Sequence, residues 1–349
     1  MESREKLLKS WLKEMFADSS EEINFFLVSG DASFRSYYRV QMGQKSFIAV
    51  DAPPEQENSQ KFTYVCDLLR NANVKAPEIF SSDYDQGFML LEDFGDQTYQ
   101  STLEELRKQG DVDRINFLYE SSINTLLDIQ TRVDKEGLDP YTGTLLEQEM
   151  SLFEKWFCNA FLGIELDHIS LKIIMDTQIF LRSSAETQLQ VPVHRDYHSR
   201  NLMVLTPEII DSKLVPGVID FQDAVFGPYT YDLVSLLRDA YIRWDKRQVE
   251  DWALYYYKNA QALGLINTID KAQFQRDFDL MGLQRQLKVI GIFARLAIRD
   301  NKPDYLADIP GVVGYFSEVS RAYDELRPFV SWFDEVVMPI AAAKINLIK

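Results

Sequence analysis

One polar cluster constrains this chain more than any other feature. Residues 193–205 read VHRDYHSRNLMVL, and two histidines, two arginines, an aspartate and an asparagine lie within eight positions between apolar runs. Short apolar runs that contain valine predict buried strands on either side of a loop. Asn201 follows Asp196 by five positions, and Asp220, in VIDFQD, follows Asn201 by 19. We therefore expect a loop and a hairpin that aim one amide and two carboxylates into a single cleft.

The spacing of these residues indicates a particular chemistry. The pattern H-R-D-x-x-x-x-N is that of the catalytic loop of protein-kinase-like phosphotransferases. Phosphoryl transfer needs a carboxylate beside the attacking hydroxyl and hard oxygen ligands for Mg²⁺ near the phosphates. Asp196 is predicted to be the catalytic base, and Asn201 and Asp220 the magnesium ligands. His194 is expected to brace the loop backbone without transferring a proton.

A zinc site is the competing interpretation of the two histidines. His194 and His198 are four positions apart, as in H-E-x-x-H, but Arg195 stands where that motif needs its glutamate. A segment between two strands is also not expected to be helical, so the sequence disfavours zinc. An isolated aspartate in a loop is usually a turn or cap residue. The joint pattern around Asp196 and Asp220 is much harder to obtain by accident.

The apolar periodicity divides the chain into two parts. Strand-like runs at 23–40, 45–54 and 76–96 surround one helical pattern at 59–73, with turns at GDAS and SDYDQG. From about residue 97 helical spacing dominates, and strands return only between 190 and 222. We predict an α+β, two-lobe protein-kinase-like fold. Its nucleotide-binding β-rich lobe spans residues 1–92, and its helical lobe, with the catalytic hairpin and substrate site, spans 93–349.

Charge and composition limit the partners. The 349 residues include 37 Lys and Arg against 54 Asp and Glu, a net charge of -17, which argues against nucleic acid or an anionic membrane as partner. No apolar run approaches the roughly 18 residues of a membrane span. The two cysteines are far apart, which favours a reducing compartment. We expect a soluble cytoplasmic protein, and the sequence leaves its oligomeric state open.

The segment after Asp220 indicates the size of the acceptor. Protein kinases carry D-F-G and then a long activation segment, whereas this chain reads DFQDAVFGPYTYDLVSLLRD. Gln222 replaces the glycine, and the next helix begins about a dozen residues later, which leaves no room for a peptide-docking segment. A small hydroxyl-bearing molecule is the expected acceptor.

These motifs resemble the aminoglycoside phosphotransferase and choline kinase family. The HxDxxxxN loop, the IDFxD strand and the G-P-x-x-Y-D-L helix start all match it. GDASFRSYYRV, DAPPE, LLEDFGDQTY and HRDYHSRNLM look closer to one branch, the bacterial kinases that phosphorylate N-acetylmuramate and N-acetylglucosamine at the anomeric hydroxyl during cell-wall recycling. The resemblance implies ATP, Mg²⁺ and an amino-sugar acceptor. It also implies that Asp232 orients the catalytic loop.

Two alternatives stay open at this point. One is a kinase of the aminoglycoside or choline type, whose cationic substrates would suit an acidic protein. The other is a non-catalytic, nucleotide-binding regulatory module, because the usual strand lysine of kinases is missing. Val50 and Asp51 stand where that cation is expected. Lys45 and Arg35 are possible substitutes, and Glu57, expected in the following helix, is where a kinase places the partner of its lysine.

Further candidate residues follow from the two-lobe hypothesis. The GDASFR turn has only one glycine, yet its backbone N–H groups can cap phosphates, and the last strand of the first lobe is where adenine is expected. The predicted nucleotide-binding residues are Gly30, Ser33, Phe34, Leu91, Glu92 and Asp93. The candidate substrate residues are His198, Arg200, Asp223 and Arg238, of which the two arginines could meet a sugar carboxylate.

Overall fold

The computed structural model describes residues 3–30, 34–205 and 215–345. It has a small antiparallel sheet near the N-terminus and helices through most of the remainder, so the predicted α+β class is confirmed. In the described part of the chain, no helix combines the length and apolar character needed to cross a bilayer.

The first lobe is a five-stranded antiparallel sheet. Its strand order is β1-β2-β3-β5-β4, and every neighbouring pair runs antiparallel. Both strand pairs predicted from the alternation of the sequence are present. The strands are β1 Ile23–Gly30, β2 Ser36–Met42, β3 Lys45–Asp51, β4 Ile79–Asp83 and β5 Phe88–Glu92.

A helix covers each face of this sheet. Successive residues of a strand point to opposite sides, so each face presents its own apolar side chains to a helix. Helix α1 (Arg4–Met15) packs its Leu8 and Leu12 against Ala49 and Leu90. On the other face, helix α2 (Ser59–Asn71) packs against the neighbouring positions Val50, Met89 and Leu91. The second of these cores continues into the helical lobe, so the two lobes share apolar contacts.

Backbone hydrogen bonds join the two lobes. The chain leaves β5 at Glu92 and enters helix α3 at Tyr99. The amide of Val204 donates to the carbonyl of Gln97 at 2.8 Å, and the amide of Val218 donates to Lys75 at 2.8 Å. The linker therefore lies against strands of the helical lobe. The proposed domain boundary between residues 92 and 93 stays a prediction.

The helical lobe is built around one long buried helix, α9 (Lys271–Arg299). Apolar residues of its C-terminal half pack in a core with α5, α6, α10 and α11. The other described helices are α3 Tyr99–Gln109, α4 Val112–Arg132, α5 Gly143–Leu152 with a π-helical continuation at Phe153–Leu162, α6 His168–Thr187, α7 Tyr231–Leu237, α8 Lys246–Ala262, α10 Ile309–Ser320, α11 Arg327–Trp332 and α12 Met338–Ile345.

Short strands in this lobe carry the polar cluster. They are β6 Asp139–Pro140, β7 Gln190–Val193, β8 Leu202–Met203, β9 Gly217–Val218 and β10 Val225–Pro228. The predicted hairpin is formed by β8 and β9, in which Leu202 pairs with Val218. Strand β10 was not predicted, because the sequence VFGP ends in a Gly-Pro turn signal. Its antiparallel pairing with β7 depends on tertiary contacts.

Candidate active site

The structure brings Asp196, Asn201 and Asp220 together at one end of the β8–β9 hairpin. Asn201 directly precedes β8, and Asp220 lies just beyond β9. The side-chain amide of Asn201 donates to the Asp196 carbonyl at 3.0 Å and to Asp220 Oδ2 at 3.2 Å. This is the proximity that the sequence spacing predicts.

The backbone beside these side chains adopts an unusual conformation. Arg195 has φ 76° and Asp220 has φ 63°, both in the left-handed region that few residues other than glycine adopt. Such a conformation costs free energy and persists where the surroundings fix it, as they do at many functional sites. Arg195 directly precedes Asp196, and Asp220 is itself a candidate metal ligand.

Buried carboxylates of two later residues hold the catalytic loop. Asp232, in the first turn of α7, accepts the amides of His194 at 2.6 Å and Arg195 at 3.0 Å. Burial raises the pKa of Asp232 to about 7, although these two hydrogen bonds favour its charged form. Asp239 accepts the amide of Ser199 at 3.0 Å and its hydroxyl at 2.5 Å. The sequence had singled out Asp232 but not Asp239.

His194 is engaged on both ring nitrogens. Its Nε2 lies 3.1 Å from the carbonyl of Ile219, and its Nδ1 lies 3.3 Å from the amide of Asp196. Burial lowers the pKa of His194 to about 4, so the ring is neutral at neutral pH. These contacts are those of a bracing residue. The described residues contain no group of three or more His, Cys, Asp or Glu side chains that could hold a metal ion.

Opposing electrostatic effects act on the two acidic groups. Burial raises the pKa of Asp196, but the charges of Lys288, His198 and Arg285 outweigh it, and the net pKa lies below its usual value. Asp220 is exposed to the cleft, yet crowding by protein atoms and the nearby Asp196 charge raise its pKa. Asp196 is therefore poised in the carboxylate form, whereas Asp220 lies where a bound cation would relieve repulsion.

A buried charge network supports the residue next to Asp196. Glu149 of α5 accepts hydrogen bonds from Arg195 at 2.7 Å and from the hydroxyl of Tyr141, and it forms an ion pair with Lys288 at 3.0 Å. Lys288 donates to the hydroxyl of Tyr231 at 2.8 Å. Two cations thus share one buried carboxylate directly behind the catalytic loop.

The candidate substrate residues differ in their exposure and in their partners. His198 is buried against the ring of Tyr241 at 5.3 Å, and its pKa is lowered by burial. Arg200 stacks on the same ring at 3.5 Å and donates to Gln100 at 2.8 Å. Asp223 is exposed, and its carbonyl lies 3.5 Å from the Arg195 guanidinium.

Arg238 lies in other surroundings. It pairs with Asp279 at 2.5 Å and stacks on Phe278 at 4.3 Å, and it lines a cavity of about 500 Å³ between α8, α9 and α10. The described contacts of Arg238 do not join it to the catalytic loop, because its guanidinium is turned toward α9. We therefore leave it out of the proposed sugar site.

The nucleotide-side candidates surround the start of β2. Gly30 ends β1 opposite Ser36, whereas Ser33 lies outside the described residues. Phe34 is exposed, and its amide donates to Glu57 at 3.2 Å. Glu57 lies in the turn before α2, so its expected place in the helix was wrong.

Arg35 is one of the two residues considered as substitutes for the cation expected on β3. It pairs with Glu57 at 2.7 Å and is buried. Burial raises the pKa of Tyr37 to about 12, and the charges of Arg35, Asp220 and Glu57 all act on it. Tyr37 therefore has both Arg35 and the candidate metal ligand Asp220 in its neighbourhood. Lys45, the other substitute considered, is exposed at the far end of β3.

The side chains of the predicted adenine-binding segment already contact other parts of the first lobe. Leu91 is buried in the sheet, and Glu92 is paired with Lys75 at 2.7 Å. The carboxylate of Asp93 accepts hydrogen bonds from the guanidinium of Arg39 at 2.6 Å and from the hydroxyl of Ser46 at 2.5 Å. The backbone of Leu91 and Glu92 is also paired with neighbouring strands, so adenine contact with the backbone of 91–94 stays a prediction.

Sequence reasoning missed the cations of α9 that act on Asp196. Arg285 and Lys288 lie about 90 residues after the loop, and both are buried. Glu149 on α5, which pairs with Lys288, was also missed. A signal was present in the sequence: charged side chains interrupt LQRQLKVIG, a helical segment that is otherwise apolar enough for a core.

Comparison with known proteins agrees with this geometry. A model of the phosphotransferase enzyme family matches residues 27–265, which is more than half of the chain. The chain belongs to this family. Family membership argues against the non-catalytic module. The question that remains is which acceptor this phosphotransferase uses.

Curated relatives cover almost the whole chain. A Pseudomonas putida protein named N-acetylmuramate/N-acetylglucosamine kinase is 41% identical over 298 residues, which cover 85% of this chain and 84% of the relative. A Neisseria meningitidis protein of the same name is 37% identical and covers 96% of both.

Solved structures support the fold. A choline kinase from Streptococcus pneumoniae matches with a TM-score of 0.59 at 12% identity and covers 89% of this chain and 99% of the neighbour. An ADP-bound aminoglycoside phosphotransferase matches with a TM-score of 0.56 at 13% identity, over 90% of this chain and 98% of the neighbour.

Proposed function

We propose that this protein transfers the γ-phosphate of ATP, with Mg²⁺, to the anomeric hydroxyl of N-acetylmuramate or N-acetylglucosamine, giving sugar 1-phosphates for peptidoglycan recycling. The observation that carries the proposal is the joint placement of Asp196, Asn201 and Asp220 at one end of a hairpin. The names of relatives that align over most of the chain support the choice of sugar. We place the reaction in the cytoplasm, where ATP is available.

The donor set suits Mg²⁺. Proteins usually hold this ion with one or two oxygen-bearing side chains, the remaining ligands being water and the phosphates of the substrate. Asn201 and Asp220 supply two such oxygens, and because burial and the Asp196 charge raise the pKa of Asp220, a bound cation would stabilise its charged form. When bound, the ion would neutralise charge on the phosphate oxygens.

Asp196 performs the proton chemistry in this proposal. Its carboxylate accepts the proton of the acceptor hydroxyl as the new O–P bond forms and the bond between the β,γ-bridging oxygen and the γ-phosphorus breaks, which releases ADP. The lowered pKa of Asp196 keeps it in the basic form at neutral pH. An anomeric hydroxyl is more acidic than other sugar hydroxyls, so a carboxylate of low pKa can assist its ionisation.

The surrounding residues hold this carboxylate in position. Asp232 accepts a hydrogen bond from the backbone just before Asp196, and Asp239 accepts one from the backbone just after it. The side-chain amide of Asn201 donates to the main-chain carbonyl of Asp196. Fixed geometry of this kind is worth a large share of catalytic rate, because it removes the entropy of alignment from the barrier.

A substrate panel tests the proposal. ADP release with ATP and Mg²⁺ is measured for amino sugars, neutral hexoses, choline and aminoglycosides. We expect the two N-acetylated amino sugars to give the highest kcat/KM. The methyl glycosides, whose anomeric position is blocked, should give no phosphorylated product, whereas derivatives blocked at the 6-hydroxyl should still react. Equal rates for the free sugar and its methyl glycoside would overturn the anomeric assignment.

A further inference from the structure

Arg285 is a buried cation that forms no hydrogen bond and no ion pair within 4 Å in the described part of the chain. Its residue is 5% exposed, and no described carboxylate or carbonyl accepts a hydrogen bond from its guanidinium. Two other buried cations nearby are paired, Arg238 with Asp279 at 2.5 Å and Lys288 with Glu149 at 3.0 Å. The charges of Asp196 and Asp232 act on Arg285 without bonding it, so its guanidinium N–H groups are available to an anionic group of a ligand.

The angular position of Arg285 around α9 places its side chain on the face that meets the catalytic loop. Lys288, three residues later, faces Tyr231, and Phe293, eight residues later, contacts Tyr241. On a helix with about 3.6 residues per turn, Arg285 projects about 60° from Lys288 and about 80° from Phe293, between the two. The charge of Arg285 accordingly acts on both Asp196 and Tyr241.

Aromatic rings form a wall between α9 and the catalytic loop. Phe293 lies 5.9 Å from Tyr241 and 5.3 Å from Tyr305, measured between ring centroids. Tyr241 in turn contacts His198, two residues after the predicted base. Apolar surface with a few fixed polar groups is typical of a small-molecule site. A sugar ring against this wall would lie between the catalytic loop and the guanidinium.

We infer that Arg285 recognises the carboxylate of an acidic sugar acceptor. The inference rests on the proposed function and deepens it. N-acetylmuramate carries a lactyl carboxylate that N-acetylglucosamine lacks, so Arg285 determines the preference between the two sugars. Arginine suits this task because its planar guanidinium binds a carboxylate through two parallel hydrogen bonds. Arg200, considered first from the sequence, already stacks on Tyr241 and donates to Gln100.

Kinetics with both sugars test the inference. We would measure kcat/KM for each sugar in the parent protein, in Arg285→Met and in Arg285→Lys. Loss of two charge-assisted hydrogen bonds should lower the value for N-acetylmuramate by on the order of 10²-fold more than that for N-acetylglucosamine. Arg285→Lys should fall in between, because lysine keeps the charge but loses the two-point geometry.

Arg299→Met is the matched control. Arg299 is on the same helix, about 21 Å further along by the helical rise, and its side chain is 53% exposed and paired with Asp300. Its ratio of kcat/KM values for the two sugars should equal that of the parent. Equal losses for both sugars in Arg285→Met would overturn the inference, since they would indicate contact with the transferred phosphate or with Asp196.

A chemical variant of the sugar keeps the test valid if Arg285→Met does not fold. The lactyl amide of N-acetylmuramate should be a poorer substrate than the acid for the parent protein, and this difference should shrink in Arg285→Lys. An undiminished difference would assign the carboxylate to another residue. If the parent phosphorylates neither sugar, the proposed function fails and the inference with it. If it phosphorylates both and the variant losses are equal, only the Arg285 inference fails.

Discussion

Replacement of Glu149 by glutamine tests the charge network behind the catalytic loop. The side chain is 9% exposed; it accepts hydrogen bonds from Arg195 and Tyr141 and forms an ion pair with Lys288. Burial raises the pKa of Glu149, but the charges of Lys288 and Arg195 outweigh it, and the net pKa is lowered. Glu149→Gln keeps the shape of the side chain and leaves two buried cations without their anion.

The size of the effect follows from the burial of the pair. Removing one partner of a buried ion pair costs about 3–5 kcal/mol. With an unfolding entropy of about 2.1 cal/mol/K per residue over this chain, the melting temperature should fall by about 4–7 °C. Glu147→Gln is the control on the same helix. Its pair with Arg182 has side chains 40% and 30% exposed, and its loss should cost about 1 kcal/mol or less.

Scanning calorimetry and pH separate this explanation from a simple packing defect. A depressed folded-state pKa stabilises the protein above the unfolded value of about 4.3, and this contribution is lost as the pH falls through the folded pKa. The difference between the parent and Glu149→Gln should therefore be full at pH 7 and shrink below about pH 4. Turnover should fall as well, because Arg195 adjoins Asp196. A melting temperature at pH 7 within about 1 °C of that of Glu147→Gln would refute the reasoning.

Three further outcomes are expected. Asp196→Asn should fold and bind nucleotide but lose about 10²–10⁴-fold in kcat, the usual worth of a general base; turnover within a few-fold of the parent would exclude Asp196 as the base. Because the pKa of Asp220 is raised, protons compete with Mg²⁺, and higher Mg²⁺ should move the acid limb of the pH–rate profile to lower pH. Asp220→Asn should lose this shift, and a parent limb that ignores Mg²⁺ would contradict the assignment. Arg35→Lys keeps the charge beside Glu57 but loses its planar geometry, so the KM for ATP should rise about tenfold with the sugar KM unchanged; equal rises in both would contradict a nucleotide-side role.

The part of the site that is local in sequence was predictable. Asp196, Asn201 and Asp220 lie within 25 residues, and strand periodicity with loop spacing was enough to place them together. The two-lobe architecture followed in the same way from the change of apolar period near residue 97. These features depend on contacts between neighbours in the chain, to which pattern reasoning is sensitive.

The remainder depends on tertiary packing. Arg285, Lys288 and Glu149 come from helices far from the loop, and only the packing of α5 and α9 brings them behind it. The ion pair of Arg35 with Glu57 was not predicted, although Arg35 had been named as a substitute for the cation expected on β3. Strand β10 pairs with β7 across the lobe, against its own turn signals. Each of these contacts was invisible to sequence spacing.

The position of the transferred phosphate tests the central claim most directly. We would incubate the protein with ATP, Mg²⁺ and N-acetylmuramate and record the phosphorus NMR spectrum of the product. The proposal predicts a phosphorus resonance coupled to the anomeric proton, formed by the parent protein and nearly absent with Asp196→Asn. A resonance coupled to the protons at carbon 6, or an anomeric product formed equally fast by Asp196→Asn, would contradict it.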